Sequence, residues 1–423
     1  MWFTKLKAED NLNWLGFSLS ILVFPLFPAL GALGLVILLV AIWFHNYHQI
    51  AQSYLNRGLL ALAGLLIISS TLAKYPQEAW LGLANFLPFF ALFAALRYLI
   101  TTPNQLRRLS WLLILPSLPI VVLGLGQMYG SWDTPTIIEL IFGWELIPQG
   151  VPIGRMSSVF IYTNFLAIYL AIAFTLTLGL GLETWHSGRR KPTRQQAQNL
   201  LLLTLILVAD IGGLILTSSR NAWILAVISF MAYAFYMGWR WLVWLVSGTA
   251  IAILWASFVP HLGGNQLRQV VPSFIWKRLS DQLYERPVET LRITQWQFCW
   301  DLIQQRPIFG WGLRNFTPLY ETATDYWFGH PHSLWLMLGA ETGVIATGLL
   351  LIVVGSVMFQ SVLWLKNWSG KDDRLIFFSY AIAFSCFILF NFADVTIFDL
   401  RINAIAWILL AALSGVTKTS LQK

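Results

Sequence analysis

The sequence predicts an all-α polytopic membrane protein: one integral domain over 1–423, about twelve transmembrane helices, and one long loop over 260–331 that contains short helices. Three observations predict it. The chain is 57% hydrophobic and only 11% charged, against about 25% charged residues in a soluble domain. Apolar runs near the length of a bilayer crossing recur from end to end. Basic residues concentrate in alternate connections between those runs, the pattern by which topology is written. The net charge of +8 therefore marks orientation, and no nucleic-acid partner is expected.

Taken in order, Lys5 and Lys7 resemble the basic start of a secretory signal, but the apolar stretch after them is too long and lacks a small-x-small exit. It reads as a retained first segment. Runs at about 14–27 and 29–44 are divided by Pro25 and Pro28, which predicts a hairpin of short helices. Further runs fall at about 58–72, 80–99, 109–129, 156–182, 200–217, 221–238 and 240–259. After the long loop come 333–360, 375–393 and 398–416.

An inside N-terminus puts Lys5, Lys7, Arg57, Arg97, Arg107, Arg108, Arg189, Arg190, Lys191, Arg194, Arg240, Lys366, Lys371, Arg374, Lys418 and Lys423 on the inner side. The short outer connections then hold only Lys74, Arg155, Arg220 and Arg401. The long outer loop is largely exempt from the rule. The opposite orientation would export the basic run at 189–194. Both termini are therefore expected inside. No repeat of fixed period stands out, nor the broken, pseudo-symmetric helix pairs typical of secondary transporters.

Two outer loops are long enough to carry function. The first, about 130–155, is rich in Trp, Pro and acids. The second contains Glu289–Gln305, predicted as an amphipathic helix with Arg292, Trp296, Cys299 and Ile303 on one face and Pro307 as its stop. Its aromatic content suits a membrane interface. Cys299 and Cys386 sit in unrelated contexts and suggest apolar packing rather than a disulfide or metal knuckle.

The sharpest chemical signal is His330-Pro331-His332-Ser333, where a polar loop enters an apolar run, with Glu341 further inside that run. Ionisable groups are expensive in hydrocarbon and mark function when they occur there. Neutral imidazole, with an ordinary pKa of about 6.5, is a natural general base, which makes His332 the candidate. The plainer alternative is an interfacial histidine bonded to a carbonyl. No acid or cysteine stands at ligand spacing nearby, so no metal is expected.

Arg220 closes Leu216-Thr217-Ser218-Ser219-Arg220, a tight polar turn on the outer side. A lone outer arginine runs against the charge rule, and guanidinium forks match phosphate oxygens, so anion binding competes with plain snorkelling. Arg292 lies on the amphipathic helix. Arg314 follows Arg306-Pro307-Ile308-Phe309-Gly310-Trp311-Gly312-Leu313, whose glycines lack a nucleotide fingerprint and read as turn residues of positive φ. Arg155, in Gly154-Arg155-Met156-Ser157-Ser158, opens the sixth run on the same face. Asp210 and Glu341 are acids within runs, able to pair with an arginine or orient a histidine. Asp394, Asp399 and Arg401 cluster at the last outer turn and read as structural caps. Arg155, Arg220, Arg292, Arg314, His330 and His332 thus share one outer surface. Several arginines around a histidine suit an anionic leaving group plus a base, such as a membrane diphosphate carrier supplies.

At these stretches the sequence resembles the O-antigen ligase and polymerase superfamily of bacterial membrane glycosyltransferases. The resemblance rests on Gly154 to Ser158, Leu216 to Arg220, Arg292 through Phe316, and His332-Ser333 followed by Glu341-Thr342-Gly343, and it spans roughly 10–416. It implies a GT-C-like enzyme of the bacterial inner membrane, without metal or cofactor, whose 260–331 loop and active site face the periplasm. Its partners would be a glycan on undecaprenyl diphosphate, a lipid A–core sugar or other glycan acceptor, and the surrounding membrane lipids. Carried over by position, His332 would activate the acceptor hydroxyl, and Arg220 and Arg292 would bind the diphosphate. Arg155, Arg314, His330 and Glu341 are further substrate-binding candidates. An inverting displacement in lipopolysaccharide biosynthesis would follow, with electrostatic stabilisation carrying much of the rate.

Two departures bear on the acceptor. Ala346 stands where the ligase motif has Gly, Thr or Tyr, and Trp296 where many ligases carry leucine. Polymerases and protein-glycosylating oligosaccharyltransferases share the same layout. A branch named for inorganic-carbon transport also resembles this chain in length and loop, and arginines attract bicarbonate as well as diphosphate. The crowding of candidates on one face favours transfer over passage, and a pure scaffold leaves that crowding unexplained.

Overall fold

A computed structural model describes residues 8–188, 193–280, 290–368 and 370–421. Lys5, Lys7, Arg189, Arg190, Lys191, Lys423 and the expected helix start at Glu289 lie outside the described residues. Regular structure among the described residues is helical, with no strand. The protein is an all-α, multi-pass membrane protein.

The twelve apolar runs reappear as α1 (Ala8–Val23), α2 (Pro28–Gln52), α3 (Tyr54–Thr71), α4 (Pro76–Gly82) with α5 (Leu87–Leu99), and α6 (Pro103–Ile114) with α7 (Ser117–Tyr129). After the short α8 (Thr136–Phe142) come α9 (Thr163–Gly188), α10 (Arg194–Thr217), α11 (Arg220–Tyr236) and α12 (Arg240–Phe258). The loop that follows carries α13 (Asn265–Leu267), α14 (Ser273–Leu279), α15 (Arg292–Gln305) and α16 (Phe316–Thr324). The last three are α17 (Leu334–Asn367), α18 (Lys371–Phe390) and α19 (Leu400–Leu421).

Ten spans among the described residues have the length and composition to cross a membrane, taking α4–α5 and α6–α7 as one each. The other two expected spans are shorter: α1 has 16 residues and α11 has 17. At 1.5 Å rise per residue these reach roughly 25 Å, somewhat less than the hydrocarbon thickness of about 30 Å. Breaks follow proline and glycine chemistry. Pro116 separates α6 from α7, and Gly343, at φ 79°, interrupts α17. Capping boxes at Thr102/Gln105 and Thr193/Gln196 start α6 and α10.

One expected boundary is corrected. The run at 156–182 does not begin as helix, because residues 156–162 form a turn ahead of α9, buried over 156–160. The backbone N–H of Met156 donates to Leu216 O at 3.0 Å, and Gln127 Oε1 accepts from the N–H groups of Ser157 and Ser158. The turn is apolar because protein covers it, and such irregular backbone is tolerated only where its polar groups find partners.

Burial separates the centre from the lipid face. The apolar window of α19 is 94% buried and that of α9 is 78% buried, whereas that of α12 is only 11% buried. Helices α9 and α19 are therefore the trunk, with α5, α10, α17 and α18 packed around them. At one end Arg107 ties α6 to Glu183 at 2.7 Å and to Asp373 at 2.9 Å, joining α6, α9 and α18. The opposite end gathers the α1–α2 turn, the 130–162 loop, the α10–α11 turn, the long loop and the α18–α19 turn. Contacts across it include Arg401 Nη1 to Pro25 O and Val159 O, Arg155 Nε to Thr217 O, and Leu334 N to Asn391 O. The candidate residues belong to this second end.

The long loop is anchored by main chain. Segment 306–313 runs along the break in α17: Trp311 N donates to Ala340 O, Gly312 N to Glu341 O, and Val344 N to Pro307 O. The interrupted helix leaves those groups without intrahelical partners, and the loop supplies them. Close approach requires the glycines. A Cβ on Gly310 would meet Glu341 backbone at 2.5 Å, and one on Gly343 would meet Ile308 O at 2.1 Å. Helix α15 packs on α17 through Gln295, Cys299 and Leu302, so its buried face meets protein rather than lipid.

Candidate active site

His330 and His332 occupy the turn that delivers the chain into α17. His332 has a left-handed backbone, φ 52°, which is uncommon for a residue with a Cβ and is held by its surroundings. Trp296 on α15 donates from Nε1 to Pro331 O at 3.0 Å, fixing the turn between the two histidines. The N–H of His332 donates to His330 Nδ1 at 3.2 Å, and the two rings stand edge to face with centroids 4.6 Å apart. With Nδ1 accepting, neutral His330 carries its proton on Nε2, which faces Asp394 Oδ1 at 3.9 Å.

Asp394, which the sequence grouped with Asp399 and Arg401 as a structural cap, accepts from the N–H of Val395 at 2.8 Å and also faces the histidine turn. It is 1% exposed and reaches both histidines, with His332 Nδ1 at 3.7 Å from Oδ1. His332 Nδ1 is buried and has no hydrogen-bond partner at that distance. Behind the carboxylate runs a polar chain. Asn164 Nδ2 donates to Asp394 Oδ2, and Arg155 Nη2 donates to Asn164 Oδ1 at 3.0 Å. Arg155 in turn is held by Thr217 O through Nε at 2.9 Å. Asn164 was not singled out by the sequence, although a carboxamide at the start of an apolar run is a visible anomaly.

Burial pushes His330 down to about 4, with His332 and Arg292 adding to the effect and Asp394 opposing it. His330 is thus neutral at pH 7. Burial alone would raise Asp394, but the facing imidazoles of His332 and His330 and the charge of Arg292 hold it well below the usual carboxylate range. Arg292, the first residue of α15, contributes to both shifts by its charge.

Arg220 begins α11 and donates from Nη1 to Arg278 O and Leu279 O, each at 3.3 Å. Arg278, another residue the sequence did not single out, is 7% exposed and donates from Nε to Ser218 O at 3.1 Å. Arg155, Arg220 and Arg278 therefore surround the α10–α11 turn. Arg314 lies apart from them, with Nε at 3.4 Å from Glu78 Oε2 on α4.

Glu341 is placed away from the histidines. It is 2% exposed, and Oε1 accepts from the N–H of Phe316 at 3.1 Å, at the start of α16. A carboxylate there suits the helix N-terminus and pins the loop to α17. Asp210 is fully buried in α10, and neither it nor Glu341 orients a histidine in this arrangement. Asp399 and Arg401 do play the structural role expected. Their pair measures 2.8 Å, and Arg401 lies over the Phe160 ring at 3.9 Å.

His330, His332 and Asp394 offer ligand atoms within 4.8 Å of one another, a spacing compatible with a cation. Local spacing does not reveal this set, because Asp394 is remote from the histidines along the chain. Donors already occupy much of the set: Asn164 and Val395 N bond the carboxylate, and His332 N bonds His330 Nδ1. The arrangement is at least as well suited to orienting an imidazole. A buried carboxylate beside a partly exposed histidine, with arginines close by, can hold one tautomer and leave the other ring nitrogen to take a proton.

Residues 203–351 match the family model described as O-antigen ligase. The matched stretch includes Arg220, Arg278, Arg292, Arg314, both histidines and Glu341, whereas Arg155, Asn164 and Asp394 lie outside it. No curated protein matches the chain.

Proposed function

We propose that this chain, whose residues 203–351 match the O-antigen ligase family model, transfers a glycan from undecaprenyl diphosphate to an acceptor hydroxyl at the periplasmic face of the inner membrane. The observation that carries this reading is the chain Arg155–Asn164–Asp394–His332, which ends on a histidine, with Arg292 acting on its carboxylate by charge. His332 takes the proton of the acceptor hydroxyl while that oxygen attacks the anomeric carbon. The bond from that carbon to the diphosphate oxygen breaks, and undecaprenyl diphosphate leaves with the electron pair. Attack opposite the leaving group inverts the anomeric centre. No step calls for a metal.

Each residue has a physical task. Asp394 favours the tautomer with the proton on Nδ1 of His332 and stabilises the imidazolium that forms, a contribution of the general-base kind worth about 10²–10⁴-fold in rate. The 3.7 Å separation is within reach of a bond that tightens when substrate binds. Arg220, Arg278 and Arg292 meet the charge that develops on the diphosphate, where low dielectric strengthens the interaction. Arg155 acts through Asn164 on Asp394. The acceptor, whether a lipid A–core sugar or the growing polymer, decides between ligase and polymerase.

The test is a lipopolysaccharide profile of a deletion strain complemented with wild type, His332→Ala or Asp394→Asn. Wild type restores the polymer ladder, His332→Ala does not, and Asp394→Asn restores it at a rate lower by about 10²-fold or more. An unchanged ladder in the deletion strain, accompanied by impaired bicarbonate uptake, would replace this reading with the transport one.

A further inference from the structure

On the α4–α16 side of the histidine turn lies a cleft of about 600 Å³ that the transfer step above does not use. Its walls include Glu78 on α4, Arg314 and Glu321 at α16, Trp327 and His330 in the loop leading to α17, and Phe398 of the α18–α19 turn. The charge there differs in kind from that around the α10–α11 turn. Arg314 and Glu78 offset one another at 3.4 Å, Glu321 adds a second carboxylate, and His330 is neutral. The cleft is therefore net negative at pH 7. The α10–α11 side gathers Arg155, Arg220 and Arg278 around one turn.

Coulomb's law sorts the two substrates of a transfer between the two regions. A diphosphate is drawn to the arginines and repelled by Glu78 and Glu321. What the cleft suits is a molecule with many hydroxyls and an apolar face. Carboxylates accept hydroxyl donors, a guanidinium donates to ring or hydroxyl oxygens, and an exposed indole stacks on the C–H face of a pyranose. Trp327 lines the cleft and is 68% exposed. His330 connects the regions: it lines the cleft, and its ring centroid is 4.6 Å from that of His332.

We propose that this cleft is a saccharide subsite for a neutral or amino-bearing acceptor sugar, which delivers its hydroxyl past His330 to His332. The proposal rests on the transferase reading for the role of the bound sugar, and on the cleft alone for its binding. It assigns the two substrates to opposite sides of the histidine turn, the lipid diphosphate to the arginines and the acceptor to Trp327, Glu78 and Glu321. It also sets a preference: phosphorylation of the accepted sugar weakens binding, because the added charge meets two carboxylates.

The experiment uses the full chain in lipid nanodiscs and saturation-transfer NMR with a panel of gluco, galacto and manno trisaccharides, each in neutral, amino and phosphorylated form. At least one neutral or amino trisaccharide gives saturation, and its phosphorylated form gives at least tenfold less. Trp327→Ala and Glu321→Gln each weaken the binding about tenfold, whereas Arg220→Ala leaves it unchanged. Absence of saturation from every neutral and amino sugar overturns the proposal, as does binding that Trp327→Ala does not alter or that Arg220→Ala abolishes. Failure of the transferase reading looks different: the ladder of the complemented strain would not depend on His332, while sugar binding would still depend on Trp327. If instead transfer needs His332 but acceptor KM is the same in wild type and Trp327→Ala, the subsite falls and the transferase stands.

Discussion

His332 combines a left-handed backbone with a ring nitrogen that is buried, faces a carboxylate and lacks a hydrogen bond. Non-glycine residues held at positive φ cost on the order of 1–3 kcal/mol and persist where the surroundings over-determine them. Here Trp296, His330 and Asp394 do so from three sides. The acid limb of stability should report this geometry. His330 has a folded pKa near 4, below its unfolded value, so folding releases a proton that the unfolded chain keeps. Its contribution is therefore intact above about pH 6.5 and declines as pH falls toward 4. Asp394, also depressed, adds a loss only below the ordinary carboxylate range. A thermal-melt series between pH 7.5 and 5 should show wild type losing about 2 kcal/mol that His330→Gln does not lose. Equal acid sensitivity in both would mean that His330 is not the neutral, buried group described here.

Among the elements, α17 and the 306–313 segment form one unit. The helix breaks at Gly343, the loop supplies partners to the freed backbone, and Glu341 pins the start of α16 from below. That unit sets the height at which the histidine turn enters the helix, so a change in it should reach the site without touching a catalytic group. Gly343→Ala places a methyl 2.1 Å from Ile308 O at a φ of 79°. The strain alone is about 1–3 kcal/mol, and the clash adds to it. A lowered melting temperature of the purified variant, with Gly348→Ala unaffected as a control in open space, is the expected result. The sequence pointed to positive φ at Gly310 and Gly312 but not at Gly343, because nothing local says that residues 310 and 343 share a backbone contact.

For the whole molecule, charge and connectivity agree on two ends. Arg57, Arg107, Arg194, Arg240 and Lys366 belong to the end opposite the histidines, and the loops that hold the candidate residues belong to the other. An inside N-terminus puts the histidine end outside. Single-cysteine labelling in spheroplasts with a membrane-impermeant maleimide checks this. Thr322→Cys, exposed in α16, should label, and Ser187→Cys, exposed at the end of α9, should label only after permeabilisation. Cys299 and Cys386 are buried and should stay silent. The reverse pattern would invert the molecule.

The order of the apolar segments, the break at Pro25 and Pro28, and the membership of Arg155, Arg220, Arg292, His330 and His332 at one end were determined by sequence alone. Hydrophobic periodicity, helix-breaking residues and loop charge are local properties, and each acts within a window shorter than one span. The partner of the histidines was not local. Asp394 lies across α17 and α18 from His332, and in one dimension it resembled any acid at a helix turn, so its role depended on packing of α17, α18 and α9. The same holds for Arg278 beside Arg220, for Glu78 beside Arg314, and for Trp296 under Pro331. Tertiary structure also set Glu341 against the start of a helix, and turned the beginning of an apolar run, 156–162, from helix into a turn. A side chain's chemistry is written in its type, but the partner that tunes it is chosen by the three-dimensional close packing of distant segments.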